Sequence, residues 1–289
     1  MNNNFTKRST INHIDEILGQ KIDVLDFGFI SVVDYMGCDS DIANAARVSY
    51  GNGTKTVNQD EGLIRYLMRH RHTTPFEMCE IKMHLKMPIF IARQWMRHRT
   101  ANVNEISARY SIIKDEYYVP EIERMSQQSA INNQGSGDRL PDDLANNIKK
   151  EMNELCADTF LTYDELINEK HLARELARSI LPQSTYTEFF WKIDLHNLLH
   201  FVSLRADSHA QYEIQQYAIK ILDIVKSWLP FTYKAFMDYR MNSMSFTGFD
   251  LGEMGDFFDK DKILSYIAKN EGSKKGEVKE LCAKLKKFI

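Results

Sequence analysis

The chain has 289 residues, 43% of them hydrophobic and 27% charged, and its formal net charge is −3 at pH 7. This length allows one large domain or two small ones with a sizeable core. The nearly balanced charge excludes a protein that binds polyanions over its whole surface. We therefore expect no nucleic-acid partner, and any basic site must be local.

No targeting segment is visible. The first residues, Met-Asn-Asn-Asn, lack an apolar signal region, and no window approaches the apolar length needed to span a bilayer. The four cysteines are far apart and form no Cys-x-x-Cys pair, which argues against a structural zinc site and a disulfide framework. We expect a cytoplasmic protein with reduced, mostly buried thiols, no metal and no membrane partner.

The first third of the chain predicts alternating strands and helices. The elements are a strand over 27–33, a helix over 41–50 with Ser40 or Asp41 as N-cap, a turn-rich loop over 51–58 and a helix over 61–70. Apolar residues at 81, 83, 85 and 87 then alternate with polar ones, which predicts a half-buried strand. Pro88 stops this strand and suits the first turn of the next helix, which carries 93–98.

The composition of 126–142, rich in Ser, Gln, Asn, Gly and Asp, predicts a mobile surface loop. A long helix follows, and its apolar residues near one face are Leu144, Ile148, Met152, Leu155 and Tyr163. The remaining elements are an aromatic and β-branched strand over 185–193, a helix over 194–203 and a core helix over 214–229 that Pro230 ends.

The tail over 250–289 differs in character from the rest of the chain. It contains a glycine-bearing stretch and two short amphipathic patterns. The last pattern aligns Val278, Leu281, Cys282, Leu285 and Phe288, with six lysines from Lys274 onward. This predicts an appended helical hairpin that packs on its own subunit. A contact for an anionic partner is the alternative interpretation.

The most informative segment is 97–110, which reads Arg-His-Arg-Thr-Ala-Asn-Val-Asn-Glu-Ile-Ser-Ala-Arg-Tyr. Cations stand at three adjacent positions, and polar side chains then alternate at Glu105, Ser107 and Arg109. In an extended segment, alternate residues share one face, so these three side chains point into one site. The supply of guanidinium groups suits a ligand with a phosphate and a flat heterocycle. A solvated, salt-bridged helix end is the alternative.

Motifs for other chemistries are missing. No Gly-rich turn opens a helix after a strand, so bound phosphates would be held by side-chain cations. No His-Glu-x-x-His spacing suggests a catalytic metal. Ser107 lacks a nucleophile elbow, so its hydroxyl suits a hydrogen bond to phosphate beside Arg109, although an incidental strand serine is equally consistent.

A second polar block lies downstream, within an otherwise apolar region. Arg205, Ser208 and His209 fall at helical spacing there, and buried polar groups need partners. Arg205 either forms a structural ion pair with Asp207 or Glu213, or faces a ligand. The residues alone leave both interpretations open.

Four blocks carry a family resemblance. Arg-His-Arg followed after seven residues by Ser107 resembles the signature of the flavin-dependent thymidylate synthases. The His-Thr-Thr-Pro-Phe-Glu segment at 72–77 resembles the family's upstream block, and 204–211 resembles its downstream block. The Ala-Ala-Arg-Val-Ser segment at 45–49 resembles its N-terminal helix. The blocks occur in family order over roughly residues 25–240, and four ordered matches are more specific than one motif.

The resemblance implies both an architecture and an activity. We expect an α+β fold, with a mixed β-sheet flanked by helices in a single catalytic domain over 1–249. We also expect a homotetramer whose active sites combine residues of several subunits. The implied reaction is methylation of dUMP to dTMP, with methylenetetrahydrofolate as carbon donor, FAD as hydride carrier and NADPH as reductant. The family needs no cysteine nucleophile for this reaction.

The resemblance also assigns residues. The implied FAD-binding residues are Ser49, His72, Thr74, Arg97, His98, Arg99, Glu105, Asp194, His196 and His200. The implied dUMP-binding residues are Gln94, Arg97, Glu105, Ser107, Ala108, Arg109, Arg178 and Arg205. Arg205 is the implied catalytic residue, which polarises the uracil ring and favours its N3-ionised form, since a fixed cation stabilises developing charge. The chain departs from the family pattern where Asp194 and His200 replace Asn and His196 replaces Arg.

Two other functions remain open at this point. One is a phosphate-binding hydrolase or nucleotide-binding module that uses the arginines without redox chemistry. The other is an inactive relative that kept the scaffold for assembly. A redox enzyme of this kind should show flavin absorbance that NADPH bleaches, and this observation would distinguish it from both alternatives.

Overall fold

A computed structural model describes residues 8–48, 57–130, 135–254 and 258–288. The chain divides into two compact units, Met1–Met241 and Asn242–Ile289, close to the division that the sequence suggests near residue 250. Ser49 and most of the predicted loop over 51–58 lie outside the described residues. Within the described part of the chain, no helix is both long and apolar enough to cross a bilayer.

The strands and helices follow the predicted alternation. The strands are β1 Ile22–Val24, β2 Gly28–Met36, β3 Glu80–Pro88, β4 Asn102–Glu105, β5 Ser126–Gln128, β6 Ser136–Arg139 and β7 Tyr186–Asp194. The helices of the first unit are α1 Asn12–Asp15, α2 Asp39–Val48, α3 Val57–Arg69, α4 Thr74–Glu77, α5 Ile89–Trp95, α6 Asp142–Asn168, α7 Arg174–Ala177, α8 Leu195–Arg205, α9 Tyr212–Trp228 and α10 Pro230–Phe236. Those of the second unit are α11 Gly248–Met254, α12 Lys260–Asn270 and α13 Gly276–Leu285.

Five strands form one sheet in the order β1-β2-β3-β7-β4, and every neighbouring pair in it is antiparallel. The α+β prediction is therefore confirmed, but the prediction of a mixed sheet is wrong. Alternation of apolar and polar residues identifies a strand without giving its direction. The direction of each strand follows from long connections, such as the one that brings β7 back beside β3.

The core lies against one face of this sheet. Met83 of β3 pairs with Trp191 of β7, and both side chains are fully buried. The Trp95 ring at the end of α5 lies 5.1 Å from Trp191 and 4.3 Å from the Phe201 ring of α8. Burial of each large apolar side chain contributes about 1.5–3 kcal/mol, so these contacts fix α5 and α8 on the sheet.

Several predicted helix ends differ from the observed ones. The helix predicted over 41–50 begins at Asp39, and the Asp41 carboxylate accepts a hydrogen bond from the backbone N–H of Cys38 at 2.9 Å. Asp41 thus stabilises the helix from inside its first turn rather than as its N-cap. The helix predicted through residue 98 ends at Trp95, and Pro230 both ends α9 and begins α10.

The segment 126–142 contains more structure than the predicted loop. Strands β5 and β6 pair across it, and α6 begins at Asp142. Its mobility stays a prediction. Along α6, the predicted apolar stripe is buried only at Tyr163, whereas Leu144, Met152 and Leu155 are exposed. The periodicity identifies the helix correctly but does not tell which face the rest of the chain covers.

The second unit has its own small core. Ile263 and Ile267 of α12 and Cys282 of α13 are buried together, and Leu285 and Phe288 pack against them. Asp259 caps α12, because its carboxylate accepts from the backbone N–H of Lys262 at 3.1 Å. The predicted stripe along the last helix is therefore largely correct, and its role stays a prediction.

Candidate active site

Helix α5 ends where its last side chain is held in the core. Trp95 is fully buried, and the backbone N–H groups of Arg97 and His98 bond the carbonyls of Gln94 and Trp95 at 3.3 and 3.0 Å. This tight turn directs the next side chains out of the core. Arg97 and Arg99 are exposed, whereas His98 is half-buried.

His98 and Arg205 form the centre of the site. Arg205 Nε donates to His98 Nε2 at 3.1 Å, and Arg205 Nη2 approaches the Gln94 carbonyl at 3.4 Å. The His98 ring also packs against Phe201 at a centroid distance of 4.8 Å. Arg205 ends α8, so the helical spacing proposed for the downstream block stops there.

The structural ion pairs proposed for Arg205 do not form. Asp207 accepts instead from His209, whose backbone N–H and ring Nδ1 both lie 2.8 Å from one carboxylate oxygen. Glu213 accepts from Tyr118 and Gln211. These two ion pairs are therefore excluded, and the interpretation in which Arg205 faces a ligand stays a prediction.

The electrostatics of this pair follow from burial. Burial lowers the pKa of His98 to about 4, with further contributions from the charge of Arg205 and from His200. At neutral pH the imidazole is therefore uncharged, and Nε2 accepts the hydrogen bond from Arg205. Burial also lowers the pKa of Arg205, although a guanidinium remains charged at any relevant pH. The pair thus presents one positive charge without a carboxylate to neutralise it.

A cavity of about 220 Å³ opens beside this pair. The described residues that line it are Arg97, His98, Arg99, Thr100, Ile193, Asn197 and His200, and none of them is acidic. We call Arg97, His98, Arg99, His200 and Arg205 the basic cluster. An acid-free cavity with two exposed guanidinium groups on its wall fits an anionic group such as a diphosphate.

The three predicted flavin-binding residues in α8 and at its N-cap lie in three different surroundings. Asp194 caps α8: its carboxylate accepts from the backbone N–H of Asn197 at 3.0 Å and from the side-chain amide of Asn197 at 2.7 Å. His200 lies on the basic cavity, and His196 lies on a neighbouring one. Asn197 was not singled out from the sequence, and its amide lines the basic cavity in the region where the family pattern has asparagine.

His72 links two further cavities. The first, of about 120 Å³, lies between α3, α4 and α8, and its wall includes His72, His196 and His200. The second, of about 660 Å³, includes His72 and Thr74. His200 belongs both to the smaller of these and to the basic cavity, so the predicted flavin-binding residues His72, Thr74, His196 and His200 line three neighbouring cavities. Ser49 lies outside the described residues.

The predicted alternation of Glu105, Ser107 and Arg109 on one extended face is wrong. Strand β4 ends at Glu105, whose carboxylate accepts from the Thr187 hydroxyl at 2.6 Å. A turn follows at Ala108, and the backbone N–H of Arg109 donates to the Ser107 hydroxyl at 3.3 Å. A local side-chain bond of this kind offers the backbone an alternative to the strand.

The turn is tied to a distant acidic residue. Arg109 Nε and Nη2 both lie 3.1 Å from the same carboxylate oxygen of Glu175, and Arg178 Nε donates to the Glu175 carbonyl at 3.3 Å. We call Ser107, Arg109, Glu175 and Arg178 the Glu175 cluster. The structure therefore brings three of the predicted dUMP-binding residues together. Nothing in the sequence signalled Glu175, which is 66 residues from Arg109.

The two clusters lie at opposite ends of β4. Asn102 at its start pairs with Lys192, and Glu105 at its end pairs with Phe189, so the strand separates them by roughly 10 Å along its axis. Arg97 to Arg99 precede the strand, and Ser107 to Arg109 follow it. A single copy of the chain thus divides the predicted dUMP-binding residues into two groups.

The cysteines belong to neither cluster. Cys79 is fully buried, and its thiol approaches the Cys38 carbonyl at 3.8 Å. Burial raises the pKa of Cys79 well above its usual range and raises that of Cys38 as well. These are thiols that resist ionisation, the reverse of what a nucleophile needs.

An α+β protein with an acid-free, arginine-lined cavity is the class that this fold and site define. The family model described as thymidylate synthase complementing protein matches residues 31–231. A flavin-dependent thymidylate synthase of Wolbachia pipientis is 57% identical over 253 residues, with 86% of this chain and 88% of the relative covered. One of Rickettsia typhi is 51% identical over 290 residues, with 96% and 98% covered.

A solved structure gives the same result. The UMP/dUMP methylase PolB of Streptomyces cacaoi, bound with 5-Br dUMP, superposes with a TM-score of 0.68 at 31% identity. The match covers 76% of this chain and 98% of the methylase. The chain belongs to the flavin-dependent thymidylate synthase family.

Proposed function

We propose that this protein methylates dUMP to dTMP with the help of a bound flavin. Family membership supports this, and so does the single observation that carries most weight in the site. Arg205 is half-buried and lacks a neutralising carboxylate among its bonded partners. Such a charge is costly without a function or a ligand, because a buried cation is normally paired.

The basic cavity fits the diphosphate of FAD. Arg97, Arg99, His98, Asn197 and His200 would hold it there, with guanidinium forks and an amide as donors. His72, Thr74 and His196 line the two neighbouring cavities and would contact the remainder. Ser49 and Glu105 are further proposed contacts of FAD. When bound, FAD supplies hydride transfer. Asp194 would act indirectly, because its carboxylate holds Asn197.

In the proposed dUMP site, residues of the Glu175 cluster bind the phosphate and residues of the basic cluster bind the base. Ser107, the backbone at Ala108, Arg109 and Arg178 would bind the phosphate, since the Arg109 and Arg178 guanidinium groups both bond Glu175 and the Ser107 hydroxyl bonds the backbone N–H of Arg109. Gln94, Arg97 and Arg205 would bind the base. Family membership supports active sites that combine residues of several subunits, so we infer that the base and the phosphate contact different copies.

Arg205 is the proposed catalytic residue. Its guanidinium would stabilise negative charge that develops on the uracil ring. The neutral His98 accepts one of its N–H groups and so orients the fork without neutralising it. Methylenetetrahydrofolate is the proposed carbon donor and NADPH the proposed reductant. The buried thiols support a reaction without a cysteine nucleophile.

A homotetramer is the proposed assembly. Along α6, Leu144, Met152 and Leu155 are 46%, 37% and 70% exposed, which leaves an apolar stripe on the surface of a single copy. Contiguous exposed apolar surface of this kind typically marks an interface. Light scattering should give about four times the 33.7 kDa chain mass. A stable and active monomer would contradict both the assembly and the shared site.

The activity is tested directly with purified protein. It should be yellow or take up added FAD, NADPH should bleach the flavin absorbance without oxygen, and dUMP with methylenetetrahydrofolate should give dTMP. A colourless protein that takes up no FAD would favour a nucleotide-binding module. A yellow protein that binds dUMP and forms no dTMP would favour an inactive relative.

A further inference from the structure

Helix α3 ends in a backbone conformation that favours glycine, but an arginine occupies the position. The backbone N–H of His72 bonds the Leu67 carbonyl at 3.0 Å, and that of Arg71 bonds the Met68 carbonyl at 3.3 Å. This pair of bonds is the Schellman motif, in which the residue that follows the helix takes a left-handed conformation. That residue is Arg71, with a φ of 60°. Glycine adopts this conformation freely, whereas a Cβ disfavours it.

The fold does not require the Arg71 side chain to end this helix. A cation near the carbonyl end of a helix is stabilising, but Arg240 already supplies one, since its Nη2 donates to the Met68 carbonyl at 3.0 Å. Within the part of the chain that the structure describes, the exposed side chain of Arg71 makes no hydrogen bond or ion pair. Backbone strain at a residue without structural contacts points to a function.

Arg71 borders two cavities that are free of acidic residues. It lines both the cavity of about 120 Å³ and that of about 660 Å³, together with His72 and Thr73, and Arg240 lines the smaller one. None of the described residues on either wall is acidic. Burial lowers the pKa of Arg240, and the charge of Arg71 lowers it further, so the two guanidinium groups repel each other. A bound anion would offset this repulsion.

We propose that Arg71 forms an anion-binding subsite, which holds a phosphate or carboxylate of a co-substrate at the border of the two cavities. The inference rests on the proposed function, in which NADPH and methylenetetrahydrofolate are the co-substrates. NADPH carries a 2′-phosphate that NADH lacks, and the folate ends in a glutamate. A guanidinium group matches either anion, because its planar fork donates two parallel hydrogen bonds to phosphate or carboxylate oxygens.

The test is Arg71→Gly in the FAD-loaded protein, with affinities measured by titration calorimetry. The probes are NADP⁺ and NAD⁺, which cannot reduce the flavin, and tetrahydrofolate and tetrahydropteroate, which differ in the glutamate. Loss of the guanidinium group should weaken binding of an anionic probe about ten- to hundredfold, the scale of a lost charged hydrogen bond. If Arg71 binds the phosphate, only NADP⁺ of the nicotinamide pair is affected. If it binds the carboxylate, only tetrahydrofolate of the folate pair is affected.

The same variant has a second readout that a structural role would not give. Arg71→Gly should raise the thermal midpoint by about 2 °C, because glycine relieves the strain at this position. Arg71→Asn also tolerates the left-handed conformation and lacks the charge, so it should lose the same affinity. His171→Gly is the matched control, because His171 has a φ of 53° and lines neither cavity. It should raise the midpoint and leave all affinities unchanged.

Several results would overturn the inference. Unchanged affinities for every probe in folded Arg71→Gly and Arg71→Asn would show that no anion binds Arg71, and equal losses within both pairs of probes would show that its charge is not what matters. A lower midpoint in Arg71→Gly would show that the arginine is kept for stability. Loss of FAD from either variant would assign Arg71 to the cofactor instead. A parent protein that binds none of the probes overturns the proposed function itself, so the two failures are distinguishable.

Discussion

The basic cluster and the Glu175 cluster both contain arginines that we propose to bind an anionic ligand, but these arginines have opposite surroundings. Arg205 is half-buried, and its bonded partners are an uncharged imidazole and a backbone carbonyl. Arg109 is 55% exposed on its side chain and is paired with the carboxylate of Glu175. The charge of Arg205 is therefore not neutralised by its bonded partners, whereas that of Arg109 is.

This difference separates chemistry from binding. A fixed, unneutralised cation stabilises charge that appears only during reaction, and such an interaction affects the rate more than the affinity. An exposed ion pair is worth little by itself, so a phosphate can replace Glu175 as the partner of Arg109 at small cost. We therefore expect the basic cluster to control turnover and the Glu175 cluster to control dUMP affinity.

The largest effect is expected for Arg205→Lys. Lysine keeps the positive charge but loses the planar fork that bonds His98 and reaches Gln94. The rate of dTMP formation should fall by about 10²–10³, the scale seen when one donor to a developing charge is removed. Single-turnover assays with saturating dUMP would measure this.

The same variant should retain the properties that do not depend on the fork. The affinity for dUMP should fall by less than the rate does, and NADPH should still bleach the flavin. Near-normal dTMP formation would show that Arg205 has a structural role, and the basic cluster would then not control turnover.

Next in size is Arg109→Ala. Loss of a charged hydrogen-bonding partner of phosphate costs about 1.5–3 kcal/mol, roughly one to two decades in affinity. Titration with dUMP should show this loss, while FAD content survives. Glu175→Gln is the matched control, because it removes the competing carboxylate and keeps Arg109. It should preserve or raise the affinity. Loss of FAD with unchanged dUMP binding in Arg109→Ala would show that the two ligands are assigned to the wrong clusters.

A smaller effect concerns the uncharged state of His98. Its pKa in the folded protein is about 4, below the ordinary value of 6.5. Between these pH values the unfolded chain binds more protons at this position, so stability falls as the pH falls from 6.5 toward 4. The variant His98→Gln keeps an acceptor for Arg205. In this variant the thermal midpoint should depend less on pH between 4 and 6.5. Arg109→Ala should leave the slope unchanged. If the thermal midpoint of His98→Gln depended on pH as steeply as that of the parent protein, His98 would not be the neutral group that we infer.

The sequence predicts the elements around both clusters because their signals are local. Alternation over 81–87 identifies β3, and the apolar period over 214–229 identifies α9. The direction of the strands has no local signal, and the prediction of a mixed sheet was wrong for this reason. The exposed apolar stripe of α6 has a similar cause, because periodicity identifies the apolar face of a helix but not the part of the protein that covers it.

The site shows the same division between local and distant interactions. The basic residues at 97–99 and the block ending at Gln211 are visible as motifs, and the structure joins them through Arg205 and His98. The bond between Arg109 and Ser107 changes an expected strand into a turn, and Glu175 joins from another part of the chain. Long-range partners of this kind leave no trace in spacing or composition.

The smallest effect is expected for the cysteines, which lie in neither cluster. A cysteine nucleophile would need cations or a helix N-terminus to lower its pKa. Here burial raises the pKa of Cys79 and Cys38, and Cys156 and Cys282 are buried thiols that belong to neither cluster. Single replacements by Ser or Ala should leave dTMP formation within about tenfold of the parent, with packing losses of about 0.5–3 kcal/mol at buried positions.

Cys79 gives the most stringent form of this test. Its thiol lies only 2.5 Å from the position that a Cβ on Gly37 would take, so the site is closely packed. The carbonyl of Cys38 is 3.8 Å from the thiol, and the shorter serine side chain in Cys79→Ser would hold its hydroxyl too far away to donate to it. The thermal midpoint should fall more for Cys79→Ser than for Cys79→Ala, because a buried hydroxyl needs a hydrogen-bond partner. Turnover per folded, flavin-loaded protein should stay near the parent in both. Loss of turnover in a variant that remains folded and yellow would place a thiolate in the reaction, and Arg205 would then no longer suffice to activate the uracil ring.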